Sequence, residues 1–224
     1  MRRSASASAG SGTRGRDRED RGKDRGRTQR ENRGQSPGRQ NRGLTPKQNP
    51  GLTPNPWLQT LRLDFREFAP GDVEDIVRLD GDPRVMKYIG DGRVHTRDEV
   101  VRFWFPRMRR LPRLYADLGV WHASRRDTGA FVGWFSLKYA GKSSDIEIGY
   151  RLVPEAWGRG FATEGAAAMR DYGFDDVGLA RIIGITHPGN RASQRVLAKI
   201  GMVDEGWGDY YEQRLRLFAI YAAE

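Results

Sequence analysis

The chain has 224 residues, 37% of them hydrophobic, enough for one substantial core, and a formal net charge of +10. It contains no cysteine and only three histidines, which excludes disulfides, thiolate metal sites and a cysteine nucleophile, and leaves no clustered imidazoles to expect as a metal site. No apolar run approaches the length of a signal-peptide core or a membrane span, so the expectation is a cytoplasmic protein that makes no membrane contact.

Composition divides the chain at Trp57. Residues 1–56 contain no aromatic residue, and carry 14 Lys plus Arg against 5 Asp plus Glu. A segment without bulky apolar groups cannot offset the entropy of ordering itself. The reading is a disordered, basic Gly/Arg-rich arm over 1–56, and one folded domain over 57–224 whose own charge is near neutral. The basic excess therefore belongs to an arm that could make a weak, salt-sensitive contact with RNA or ribosomes, not to a folded nucleic-acid surface. The arm lacks aromatics for base stacking, which counts against RNA binding as its main role.

From Trp57 onward the pattern alternates between periods of two and of about 3.6. Leu61–Phe68 predicts a first strand, and Pro70 with Asp72 opens a helix containing Val73, Ile76 and Val77. A second helix is expected from Thr96 to about Arg110, followed by strands at Asp117–Ala123 and Ala130–Tyr139 joined by a hairpin at Arg125–Gly129. In a third strand, Asp145–Val153, Ile146, Ile148 and Tyr150 face one way and Glu147, Gly149 and Arg151 the other. An alanine-rich helix is expected over Gly158–Tyr172 with Gly173 as its stop, then a β-branched strand at Arg181–Thr186. Asn190 caps a helix over Arg191–Ile200 that Gly201 ends, and two strands close the chain at Met202–Tyr210 and Arg214–Tyr221. The order predicts an α/β fold with a central, mostly antiparallel mixed sheet flanked by helices.

The segment Trp157-Gly-Arg-Gly-Phe-Ala-Thr-Glu164 follows a strand and opens a helix. Glycines there allow several helix-terminal N–H groups to converge on an anion such as a pyrophosphate, with Arg159 adding charge. Position 163 is Thr, so this is not the dinucleotide fingerprint G-x-G-x-x-G, and no Gly-Lys-Ser/Thr follows as in a Walker loop. A second polar helix start, Asn190-Arg-Ala-Ser193, comes about 30 residues later.

Together, Asp145–Glu164 and His187-Pro-Gly-Asn-Arg-Ala-Ser-Gln-Arg-Val-Leu-Ala-Lys-Ile-Gly-Met202 resemble the GNAT superfamily of N-acetyltransferases, and the opening Leu61–Asp72 resembles its ribosomal-protein N-terminal (Nα) branch. The resemblance covers 57–224 and implies acetyl-CoA as cosubstrate, an amine acceptor attacking directly in a ternary complex, and no metal. It implies that the backbone of Gly158, Arg159, Gly160, Phe161 and Ala162 holds the coenzyme A pyrophosphate, with Thr163 assisting. It also implies that the backbone at Leu152 and Val153 pairs with the pantetheine arm, and that Asn190 reaches the same arm. Trp157 stands where many members carry Gln or Arg, and Leu197 where many carry a proton-donating tyrosine.

The reaction needs a base for the acceptor ammonium and a proton for the leaving thiolate. Ser193 matches the serine proposed as donor in the ribosomal-protein branch; hydrogen bonding at the helix start is its other reading. Glu147 is the base candidate on the strand entering the site, against a structural ion pair with Arg151 or an arginine of the early helices. Glu205 is a weaker candidate, Tyr150 could line the thioester channel, and His122 and His187 are left out of the mechanism. The acceptor stays open between a protein N-terminus and a small-molecule amine, and the assembly between monomer and homodimer. A non-catalytic coenzyme A-binding or RNA-associated module is the competing class.

Overall fold

Alternating apolar residues build eight strands. The computed structural model describes residues 56–115 and 117–223, so the expectations for the basic arm fall, Pro56 aside, outside the described residues. The strands are β1 (Leu58–Gln59), β2 (Leu63–Arg66), β3 (Gly119–Arg125), β4 (Phe131–Tyr139), β5 (Ile146–Leu152), β6 (Arg181–Thr186), β7 (Val203–Tyr210) and β8 (Gln213–Tyr221). They form one sheet in the order β1-β2-β3-β4-β5-β6-β8-β7, antiparallel throughout except for the β5–β6 pair. The expected first strand is thus shorter than Leu61–Phe68 and is preceded by the two-residue β1.

Among the described residues, six helices of the α type and one short mid-helix stretch flank this sheet. They are α1 (Val73–Asp80), α2 (Pro83–Met86), α3 (Arg97–Glu99), α4 (Phe105–Leu114), α5 (Phe161–Asp175) and α6 (Arg191–Lys199), with a π turn at Val100–Trp104 joining α3 to α4. The helix begins at Thr96 as expected, where Thr96 caps α3 through a reciprocal pair with Glu99, but the helical path runs on to Leu114 rather than ending near Arg110. Gly173 does not stop α5. It lies inside the helix and is buried, where a Cβ would come within 2.7 Å of Ile182 Cδ1 and 3.1 Å of Leu137 Cδ2. Its small size lets the helix lie close on the sheet.

The core sits between the helices and the sheet, with Phe65, Phe135, Leu137, Met169 and Ile182 fully buried. Burial of such side chains stabilises the domain by roughly 1.5–3 kcal/mol each. No helix among the described residues is long and apolar enough to cross a membrane.

What positions the site is the single parallel junction. β5 pairs with β4 along its whole length, from Gly133↔Leu152 to Tyr139↔Ile146, and β6 pairs with β8 over six residues. Between β5 and β6 only Glu147↔Ile183 is in register. Beyond that pair the strands part, leaving a wedge whose walls carry backbone N–H and C=O groups of the kind an added strand uses.

Candidate functional site

A cavity of about 830 Å³ opens at this wedge. On one side it is lined by Tyr150, Thr186, Asn190 and Ser193, and on the other by Trp134, Lys138, Glu147, Gly149 and Tyr211.

The wedge side is built by α6. The Asn190 side chain accepts from the Ser193 N–H at 3.1 Å, so the expected cap forms, and it brings Ser193 against β5. Ser193 Oγ lies 3.0 Å from the Tyr150 hydroxyl. Burial pushes the Tyr150 phenol up to about 12, with the Ser193 bond acting in the opposite direction, so it is a neutral O–H across the physiological range. Leu197, at the position of the missing tyrosine, is buried against β6, where a Cβ on Gly184 would lie 2.6 Å from Leu197 Cδ2.

The glycine loop stands at the start of α5. Gly158 and Gly160 have φ of +69° and +82°, a left-handed backbone that glycine adopts without strain. Gly160 is the N-cap and supplies no side chain, and the first in-helix donor is Glu164 N–H to Gly160 O at 3.0 Å. The N–H groups of Phe161, Ala162 and Thr163 therefore precede the helical ladder, available to an anion. Arg159 and Arg62 both lie over the Phe161 ring, at 5.3 and 4.6 Å, and Arg62 donates to Arg159 O at 2.9 Å. Arg62 is also paired with Glu164. Although burial opposes it, bonds from Thr60 and Arg62 hold the Glu164 carboxyl below the usual range.

Two of the backbone groups at Leu152 and Val153 have partners within the chain. Leu152 O accepts from Trp157 Nε1 at 2.8 Å, and Val153 N–H donates to Val132 O at 3.0 Å on β4. Neither residue lines the cavity, whereas Ile148, Gly149 and Tyr150 do. Trp157 thus fastens the end of β5 to the loop, a role its position before the glycines did not disclose.

On the opposite side, Glu147 is buried and bonded to Lys138 Nζ, its cross-strand neighbour, and to the Tyr211 hydroxyl at 2.5 Å. Its ion pair is with Lys138, not with Arg151 or an arginine of the early helices. Arg151 instead pairs with the buried Asp80, which also contacts His95 Nδ1 at 3.1 Å. The His95 ring stacks on Trp104 with centroids 4.7 Å apart. Tyr211 and Glu212 sit at the β7–β8 turn with φ of +53° and +60°, an uncommon backbone for residues with side chains. That turn delivers the Tyr211 phenol to Glu147. Burial first, and then the Glu147 charge, push the phenol well above its ordinary range.

The structure therefore brings Glu147, Ser193 and Asn190 to one cavity, and leaves Leu152, Val153 and the Gly158–Thr163 loop outside its lining. Glu205 is on β7 and bonds Arg181 and Tyr221 instead of facing the cavity. His187 lines the cavity and stacks on Tyr88, while His122 is buried on β3 away from it, 3.4 Å from Asp75. Asp72, Asp75 and His122 bring their ligand atoms within 4.8 Å of one another, but both oxygens of Asp72 already accept from Arg66, at 2.6 and 2.8 Å. Asp80, His95, Arg107, Lys138 and Tyr211 were not singled out as site residues from the sequence, which has no local signal for a pair such as Asp80 and His95 on separate segments.

Comparison with known proteins agrees with this geometry. Residues 62–203 match the model of the acetyltransferase (GNAT) domain. The FsC-acetyl coenzyme A-N(2)-transacetylase of Aspergillus fumigatus is 34% identical over 157 residues, which span 66% of this chain and 65% of that relative. A GNAT-family acetyltransferase structure from Bacillus anthracis is 28% identical with a TM-score of 0.59, covering 73% of this chain and 96% of that one. Mycobacterium smegmatis RimJ, solved with CoA-disulfide, shares the fold at a TM-score of 0.60 and 23% identity, over 71% of this chain and 82% of that one. The chain belongs to the GNAT family of acetyltransferases and is an acetyl-CoA-dependent N-acetyltransferase.

Proposed function

We propose that the chain transfers the acetyl group of acetyl-CoA directly to a primary amine within a ternary complex. The observation that carries this reading is the single cavity that joins the β5–β6 wedge to the wall bearing Glu147. The reacting ends of both substrates can meet in one enclosure, and the chain has no cysteine to carry the acetyl group between two sites.

In this reading the pyrophosphate rests on the Gly158–Ala162 backbone and the N-terminus of α5, with Arg159 and Thr163 assisting and Arg62 holding the loop. The pantetheine arm enters the wedge beside Ile148–Tyr150, under Asn190, and continues along the backbone toward Leu152 and Val153. The amine lone pair attacks the thioester carbonyl carbon, the C–S bond breaks, and coenzyme A leaves as a thiol. Glu147 takes the proton lost by the ammonium, directly or through water. Ser193 and Tyr150 stand as a hydroxyl pair to protonate the thiolate.

The acceptor is a protein N-terminus or a small-molecule amine; the names of the Aspergillus relative and of RimJ motivate testing both. The test is release of free thiol from acetyl-CoA with N-terminal peptides, polyamines and aminoglycosides supplied in turn. Amine-dependent release, with one acetylated product per thiol, is expected. Tight acetyl-CoA binding without release for any amine would instead make this a coenzyme A-binding module.

A further inference from the structure

The charges around the acceptor side are unequal in how they are satisfied. Of its three carboxylates, the buried Asp80 and Glu147 pair with cations of the chain itself, Arg151 and Lys138, while the exposed Asp91 makes a looser contact with Arg93 at 3.5 Å. A polycationic acceptor would present further ammonium groups to an inner lining whose buried carboxylates are already paired, and desolvating them without partners is costly. Arg107, in contrast, lines the cavity from α4 and has no ion pair among the described residues. It lines the same cavity as Glu147 and Tyr211, which meet through the Tyr211 hydroxyl at 2.5 Å.

We infer that the acceptor carries a negative charge near its reacting amine, and that Arg107 recognises that charge while Glu147 receives the ammonium. This rests on the ternary-complex reading and narrows it to anionic amines, such as peptides with an acidic residue close to the N-terminus. Carboxylate and phosphate are both matched by a guanidinium fork, which can engage either with two parallel bonds. Recognition of this kind acts through attraction to the anion and rejection of cations alike.

The experiment uses the full chain and matched tripeptide amides, Ala-Glu-Ala, Ala-phosphoserine-Ala, Ala-Gln-Ala and Ala-Lys-Ala, with spermidine as the polycation. Thiol release gives kcat/KM, and quenching of the cavity tryptophans in the coenzyme A-loaded protein gives binding without turnover. The expected result is an advantage of about tenfold for the anionic peptides over Ala-Gln-Ala, with Ala-Lys-Ala and spermidine poorest. The ratio between the glutamate and phosphoserine peptides identifies which anion fits. Arg107→Glu, an exposed helix substitution, should reverse the order in favour of Ala-Lys-Ala. Thiol release that is equal across the peptides, or an anionic preference that survives Arg107→Glu, overturns the inference and leaves the transferase reading standing. If no amine gives thiol release, the ternary-complex reading fails; the binding series then decides separately, and an absence of any Arg107-dependent preference overturns the inference there as well.

Discussion

The two sides of the cavity are built in different ways. In the proposed reading the cofactor is held by two short continuous stretches, β5 through the start of α5 and the entry into α6, largely through backbone groups. The side proposed for the acceptor is lined by Asp80, His95, Arg107, Lys138, Glu147 and Tyr211, drawn from separate elements and presenting side chains. Backbone recognition of a common cofactor is set by local geometry, glycines and helix termini. Side-chain recognition of an acceptor depends on topology, which lets it differ while the cofactor side is retained.

The largest effect that would break this contrast is at the carboxylate. Glu147→Gln is expected to lower kcat by about a hundredfold, within the range for losing a general base, while acetyl-CoA affinity stays unchanged by calorimetry. An equal loss of cofactor affinity would mean that the two sides are not separable.

A smaller loss is expected at the hydroxyl pair. Ser193→Ala and Tyr150→Phe should each reduce kcat by about tenfold, and the double variant by less than the product of the two, because each hydroxyl contacts the other at 3.0 Å. Fully multiplicative losses in single-turnover measurements would show that they act independently. On the loop, Arg159→Glu should weaken acetyl-CoA binding by about tenfold with an unchanged melting temperature. This substitution is a cleaner probe than Gly160→Val, since φ of +82° would strain valine whatever binds there.

How much of this was legible in the sequence follows the same division. The alternation on β5 placed Glu147, Gly149 and Arg151 on one face because the period of two is local. Asn190 as a cap, the glycine loop and the order of strands were legible for similar reasons. Gly173 was misread because a glycine in a helix can mark either its end or a close approach, and only the position of Ile182 decides. The Asp80–His95 contact and the ion pair of Glu147 with Lys138 were not legible, since the residues meet only when the strands and loops are placed. Tyr211 was hidden by its turn, where two non-glycine residues take a left-handed backbone.

Two stability measurements sharpen the picture of what holds the halves together. A Cβ on Gly165 of α5 would meet the Phe135 ring at 2.3–2.9 Å, so Gly165→Ala should cost about 1–3 kcal/mol in urea unfolding despite alanine's higher helix propensity. A stabilised variant would mean that α5 does not press on the sheet as described. The smallest effect concerns Glu164, whose carboxyl is held below its ordinary range in the folded chain. Its contribution is present above the unfolded carboxyl's range and is lost as pH falls through the lower folded value. The wild type should therefore lose slightly more stability on acidification than Glu164→Gln, as read from melting temperatures across an acid series; identical curves would show that the Arg62–Glu164 clamp adds nothing.

The central claim, direct transfer in one shared cavity, is tested most directly by initial rates with acetyl-CoA and an accepted amine both varied. The account predicts intersecting double-reciprocal lines and no acetylated enzyme when acetyl-CoA is supplied alone. Parallel lines, with an acetyl group carried on the protein before any acceptor is added, would contradict it.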